Sequence, residues 1–285
     1  MKTGLIVEGG GMKCAYSAGI LDAFIEEGIT FDHVYGVSAG ASNAVTYIAG
    51  QHNRCRRFYV SHAATPRYAS TKMFLRTGNY FDLNYIYATM SNEDGVDPLD
   101  YDAFEKSPMD FTCVATDALT GEPHYFRKSD IRRNHYEPIM ASCALPVFCH
   151  PIVIDGRTYF DGGMSDSLPV GRALRDGCDR IVVLSSKTSD FEMNPQGHKL
   201  IYNIALRKYP MMIKALSQRY RVYNHQMKRV RQLEEQGRLM IYYRPSEISV
   251  STTKVDPVAA EELYQRGRDD LRTTRDEFMS FIGKD

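Results

Sequence analysis

The sequence predicts an α/β fold with a largely parallel central sheet, on three observations. Strand-like and helix-like segments alternate along the N-terminal part, beginning with Leu5-Ile6-Val7 and the helical spacing of Cys14–Glu27. A glycine-rich run, Glu8-Gly9-Gly10-Gly11-Met12-Lys13, joins that strand to that helix. Gly36-Val37-Ser38-Ala39-Gly40 then stands between a second apolar strand, Phe31–Tyr35, and a helix of small residues, Ala39–Ala49.

Further strands are expected at Phe111–Thr116, His124–Phe126, Ile152–Ile154, Thr158–Phe160, Arg180–Ser185 and Leu239–Tyr243. Helices are expected at Asp130–Cys143, Gly171–Asp176 and Pro257–Phe281. There is no internal repeat and no low-complexity linker. The expectation is therefore one unit over residues 1–285, with 51–110 and 186–238 as insert or lid segments.

Three motifs carry chemistry. A G-x-S-x-G pentapeptide at a strand-to-helix turn lifts the serine hydroxyl clear of the backbone, and its glycines avoid collisions as strand and helix close up. The same string also fits an ordinary tight turn with a surface serine. The glycine loop exposes backbone N–H groups at a helix start, which suits a phosphate or the oxyanion of an acyl intermediate. Nucleotide loops fail on the residues. The string G-x-x-x-x-G-K-[ST] is absent, and a dinucleotide fingerprint from Gly9 and Gly11 would need glycine where Cys14 stands. The third motif, Tyr159-Phe160-Asp161-Gly162-Gly163, ends a strand on a carboxylate. It reads as a turn, or as the base that a nucleophilic serine requires.

In order and spacing these three strings, with Ala141-Ser142-Cys143-Ala144-Leu145-Pro146 between the last two, resemble the patatin-like phospholipase family, bacterial single-domain type, over most of the chain. The resemblance implies a three-layer α/β/α fold and lipid acyl hydrolysis by a Ser–Asp dyad, without metal or cofactor. It assigns Ser38 as nucleophile, Asp161 as base, and the Gly9, Gly10 and Gly11 loop, with the Ala39 amide, as oxyanion hole. Lys13, Gly36, Gly40, Gly162 and Gly163 support the motifs. The chain departs from the family at Lys13-Cys14, where arginine and glycine are usual, and at Ser167, where asparagine is usual.

Composition narrows the rest. With 35 basic and 35 acidic residues, no global charge argues for nucleic acid. The six cysteines form no C-x-x-C pair and no H-E-x-x-H occurs, so no metal site is expected. No signal-like or 18-residue apolar run is present, which points to a cytoplasmic protein, peripheral at most to the inner membrane face. Only His198 and His225 follow Asp161, neither in a motif, so a histidine triad is not expected.

Two segments invite separate readings. Phe58, Tyr59, Tyr68, Phe74, Tyr80, Phe81, Tyr85 and Tyr87 crowd 51–110, either as lining of an acyl pocket or as core of extra helices. Lys199–Leu233 holds nine Lys or Arg and no acid, which fits contact with an anionic membrane or a solvated helix face. A lipid or other acyl ester is the expected substrate. A soluble carboxylesterase or thioesterase, and more distantly a non-catalytic lipid or anion binder, remain open at this point.

Overall fold

The structure, a computed structural model, describes residues 1–283. Its eight strands are β1 (Thr3–Val7), β2 (His33–Val37), β3 (Asp110–Asp117), β4 (Pro123–Arg127), β5 (Ile152–Ile154), β6 (Arg157–Asp161), β7 (Arg180–Leu184) and β8 (Leu239–Tyr242). They form one mixed sheet in the order β5-β6-β3-β2-β1-β7-β8, with β4 also paired to β3. The centre is parallel: β1 pairs with β2 through Leu5 and Val34 and with β7 through Leu5 and Val182. β4, β5 and β6 join antiparallel. Each expected strand is present.

The helices are α1 (Ala15–Glu26), α2 (Ala39–Ile48), α3 (Arg54–Arg57), α4 (Thr71–Thr77), α5 (Tyr101–Lys106), α6 (Glu137–Ser142), α7 (Val170–Arg175), α8 (Lys199–Ala205), α9 (Pro210–Glu235), α10 (Pro257–Thr273) and α11 (Arg275–Ile282). Strand alternation sorts them into layers. Leu5, Val7, Val182 and Leu184 join a core with α1, α2, α10 and the 51–110 segment. Ile6, Ile181 and Val183 point the other way, into a core with Val170 and Ala173 of α7 and Tyr223, Val230 and Leu233 of α9. With both faces covered, β1 and β7 read as unbroken apolar runs rather than alternating ones.

Two helices differ from expectation. The helix expected over Asp130–Cys143 is confined to α6. Asn134 at φ 60° and the Arg132–His135 bridge form a turn before it, and Pro138 sits in the first turn, where a missing N–H is harmless. The helix expected over Pro257–Phe281 divides at Thr274. Its hydroxyl donates to the Asp270 carbonyl and meets the Tyr242 hydroxyl at 2.8 Å. Among the described residues no helix is long and apolar enough to cross a membrane.

Candidate active site

Ser38 occupies the single residue between β2 and α2, at φ 54° and ψ −133°. That left-handed φ is strained for a residue with a side chain and persists only when its surroundings hold it. The flanking glycines show why the spacing is fixed. A Cβ on Gly36 would lie 2.4 Å from Ala41 Cα, and one on Gly40 would lie 2.2 Å from the Val7 carbonyl oxygen. The Ser38 N–H donates to Ser142 Oγ at 2.7 Å, and Ser142 Oγ–H donates on to the Val114 carbonyl at 2.6 Å. Ser142, fully buried on α6, thus locks the elbow to β3.

The glycine loop closes over the elbow. Gly9 packs so tightly that a Cβ there would lie 2.6 Å from Ser38 Cβ. Gly11 has φ +57°, and a Cβ there would lie 2.1 Å from the Thr252 carbonyl oxygen, which also accepts the Met12 N–H. Glu8 props the loop from below: its buried carboxylate accepts from Ser185 Oγ and the Ser186 N–H and lies 3.4 Å from Lys187 Nζ. Ser186 Oγ in turn donates to the Gly9 carbonyl at 2.7 Å. Cys14 stands where glycine was usual, and its thiol donates to the Glu8 carbonyl. Lys13 is half-buried, and burial, with Lys187 and Arg244 nearby, lowers its pKa. The Ser38 and Met12 amides are engaged. Among the described residues, no acceptor meets the amides of Gly9, Gly10, Gly11 or Ala39.

Asp161 ends β6 and is 2% exposed. Its Oδ1 accepts the Gly163 N–H at 2.8 Å. Its Oδ2 is buried and, among the described residues, has no hydrogen-bond partner of regular geometry. Burial raises the pKa of this carboxyl. The facing Ser38 hydroxyl, the Gly163 N–H and the charges of Arg219 and Lys187 pull it only partly back. The Gly163 carbonyl accepts from Ser167 Oγ at 2.9 Å and from Arg219 Nε at 2.6 Å. Ser167, at the position of the usual asparagine, therefore still holds the turn.

Beside Ser38 lies a small cavity of about 50 Å³ walled by Phe58, Tyr59, Tyr68, Phe81, Ile86 and Tyr87, with Gly11 and Ala39 also in its lining. Ligand pockets ordinarily offer roughly 300–1,000 Å³. Five of the eight aromatics noted in 51–110 line it, and of these Tyr59, Tyr68, Phe81 and Tyr87 are also buried core. Phe58 and Tyr87 sit on π-helical turns at Phe58–His62 and Tyr85–Met90, a departure from regular helix that aims side chains at sites. Phe74 stays outside, on α4. Cys143 also reaches the cavity, but burial pushes its thiol pKa well up and leaves it unreactive. His198 and His225 are exposed and line no part of it. Ser142, Lys187, Arg219 and Thr252 are contributions that sequence reasoning gave no role. Ser142 lies in the Ala141–Pro146 string and Arg219 in the basic Lys199–Leu233 segment, while Lys187 and Thr252 lie in neither.

Comparison with known proteins agrees with this architecture. Residues 5–174 match the family model for patatin-like phospholipase, and residues 209–283 match a domain of unknown function, DUF6363. The uncharacterised protein YjjU of Escherichia coli K12 is 30% identical over 200 residues, 68% of this chain and 55% of that protein. A lysophospholipase of Aspergillus terreus is 27% identical over 68% of this chain, but over 12% of its own length. An uncharacterised NTE family protein of Mycobacterium bovis is 26% identical over 66% of this chain and 50% of that protein. The chain thus spans about half the length of its bacterial relatives and far less of the fungal one. The solved structure of VipD from Legionella pneumophila aligns over 97% of this chain and 67% of its own, with a TM-score of 0.53 and 15% identity, which is a likeness of fold. With the matched model spanning 5–174, the chain belongs to the patatin-like phospholipase family.

Proposed function

We propose that the protein is a phospholipase A or lysophospholipase-type acyl hydrolase working through a Ser38–Asp161 dyad. One observation carries the reading. A strained, elbow-borne serine faces a buried carboxylate with an unpaired oxygen, beside unengaged loop amides and an apolar cavity. Ser38 Oγ attacks the ester carbonyl carbon while its proton passes to Asp161. The carbonyl oxygen becomes an oxyanion held by the amides of Gly9–Gly11 and Ala39. As the C–O bond breaks, the leaving alcohol takes the proton from Asp161. Water then attacks the acyl-enzyme, giving its proton to Asp161, and Ser38 leaves with a proton restored. The raised Asp161 pKa makes it a stronger base than an ordinary carboxylate. The wall formed by 58–87 yields to admit an acyl chain longer than the cavity holds, and 1–285 acts as one catalytic unit.

Ser38→Ala tests the reading. It should lower kcat on p-nitrophenyl esters and on defined phospholipids by at least ~10³-fold and abolish fluorophosphonate labelling. Undiminished hydrolysis by the folded variant would refute the dyad.

The substrate surface is proposed to be anionic lipid, met by α8. Leu200, Ile201 and Ile204 are exposed there (72%, 53% and 62%), flanked by exposed Lys199, Arg207 and Lys208. Binding to vesicles containing phosphatidylglycerol should weaken as salt rises and should fall in a Leu200→Ser, Ile204→Ser double variant. Equal binding to neutral vesicles would count against it.

A further inference from the structure

We propose that Arg219, carried by the segment that matches the domain of unknown function, is a positioning residue for the catalytic base, fixing the Asp161–Gly163 turn through the Gly163 carbonyl. The inference rests on the Ser38–Asp161 reading above and gives the C-terminal segment a task in it.

Gly163 is held at both of its polar ends. Its N–H donates to Asp161 Oδ1 at 2.8 Å, and its carbonyl accepts from Arg219 Nε at 2.6 Å and, from its own turn, from Ser167 Oγ at 2.9 Å, so Arg219 is the tie that reaches it from another element. Any shift of that residue is therefore a shift of the base. Of the nine cations in Lys199–Leu233, the other eight are exposed and Arg219 alone turns inward. Its helix is a rigid support. In α9, Met212 and Leu216 pack against Phe160 and Met164 on either side of Asp161, while Tyr223, Val230 and Leu233 pack under the sheet. One turn beyond Arg219, Tyr223 meets the buried Glu8 that props the glycine loop. A single helix thus touches the supports of both halves of the machinery.

Arg219 also supplies charge. The groups facing Asp161 are the Ser38 hydroxyl, the Arg219 guanidinium from α9 and the Lys187 ammonium after β7. The buried thiols of Cys14, Cys113, Cys143 and Cys149 complete the set, and burial keeps all four protonated. Of the two cations, Lys187 is already engaged by Glu8. Removing the Arg219 charge therefore leaves the base less restrained, so its pKa rises and the low-pH limb of activity moves upward.

Arg219→Gln and Arg219→Lys in the full chain, assayed on a soluble p-nitrophenyl ester, test this. Arg219→Gln should lower kcat about 10-fold with KM nearly unchanged, since a misplaced base slows chemistry rather than binding. It should also move the low-pH limb of kcat/KM upward by a measurable fraction of a unit. Arg219→Lys should return the limb to its wild-type position, because charge is kept. It should recover only part of kcat, because lysine lacks the planar fork. A folded Arg219→Gln with wild-type kcat and limb overturns the proposal. Should Arg219→Gln not fold, Arg219→Lys decides: full wild-type kcat overturns the positioning role, and a reduced kcat with an unmoved limb upholds it. Ser38→Ala separates the two layers of argument. If that variant stays active, the dyad reading fails. If it is dead while both Arg219 variants match wild type, only the present inference fails.

Discussion

Asp161 sits in an environment unfavourable to its charge. It is enclosed, its Oδ2 has no hydrogen-bond partner of regular geometry among the described residues, and burial raises its pKa against the pull of Ser38, Gly163, Arg219 and Lys187. A base acts in its deprotonated form, so activity is lost as pH falls through the raised value. The low-pH limb of kcat/KM should stand above the ordinary carboxylate range of about 4. Stability runs the other way. A carboxyl whose pKa is higher folded than unfolded holds more protons when folded, so stability is full below the unfolded pKa and declines as pH rises through the folded one. Asp161→Asn keeps the shape and removes the charge. It should lose most activity yet melt at or above the wild-type temperature at neutral pH, the sign of strain stored for function. A variant that melts well below wild type would show that the carboxylate stabilises the fold, contrary to this account.

At the scale of elements, the site is three chain reversals brought together: the loop after β1, the elbow after β2 and the turn after β6. The proposed oxyanion donors sit on the first two. Proline in the glycine loop would be a poor test, because Gly10 (φ 176°) and Gly11 (φ 57°) lie far from the φ near −65° that the ring demands. Ala39 is the first residue of α2, where proline fits a helix and removes the N–H. Ala39→Pro should therefore lower kcat by about 10²–10³ with the melting temperature nearly kept. Unchanged kcat would take Ala39 out of the hole. These reversals were legible in the sequence because glycine spacing at a reversal is a local steric requirement, and Gly36, Gly40 and Gly11 each meet one. The strands were legible because buried parallel strands are short apolar runs. The break at Thr274 was not, since Phe278 and Ile282 continue the apolar spacing beyond it. Nor was Arg219, which along the chain resembles its eight exposed basic neighbours. Thr252 and Lys187 act across long sequence separations that leave no local mark, and Ser142, though inside the Ala141–Pro146 string, carries no local sign of its bond to the Ser38 amide.

At the scale of the whole molecule, the question is whether 209–283 is an appendage or part of the catalytic unit. β8 extends the sheet beside β7, α9 covers one face and α10 lies on α1 over the other. The α1–α10 crossing is backbone against backbone. A Cβ on Gly19 would lie 1.9 Å from the Tyr264 carbonyl oxygen, and one on Gly267 would lie 2.2 Å from that of Tyr16. Around the crossing, the Tyr16 hydroxyl donates to Asp270 at 2.7 Å, Tyr264 donates to the buried Asp22, and Arg268 forks onto Glu26. Gly267→Ala must push the helices apart, and overpacking of this kind costs about 1–3 kcal/mol. The better helix propensity of alanine offsets up to about 1 kcal/mol of that. Each net kcal/mol lowers the melting temperature by roughly 2–4 °C in a chain of this size. If the segment folds with the rest, one cooperative transition moves down as a whole, and hydrolytic activity is lost at the same lowered temperature. If it is an appendage, calorimetry of Gly267→Ala will show two transitions, with the lower one shifted and activity surviving to the upper. The close Gly19–Gly267 approach, the shared sheet and the Arg219 contact to the Asp161 turn all favour the single transition.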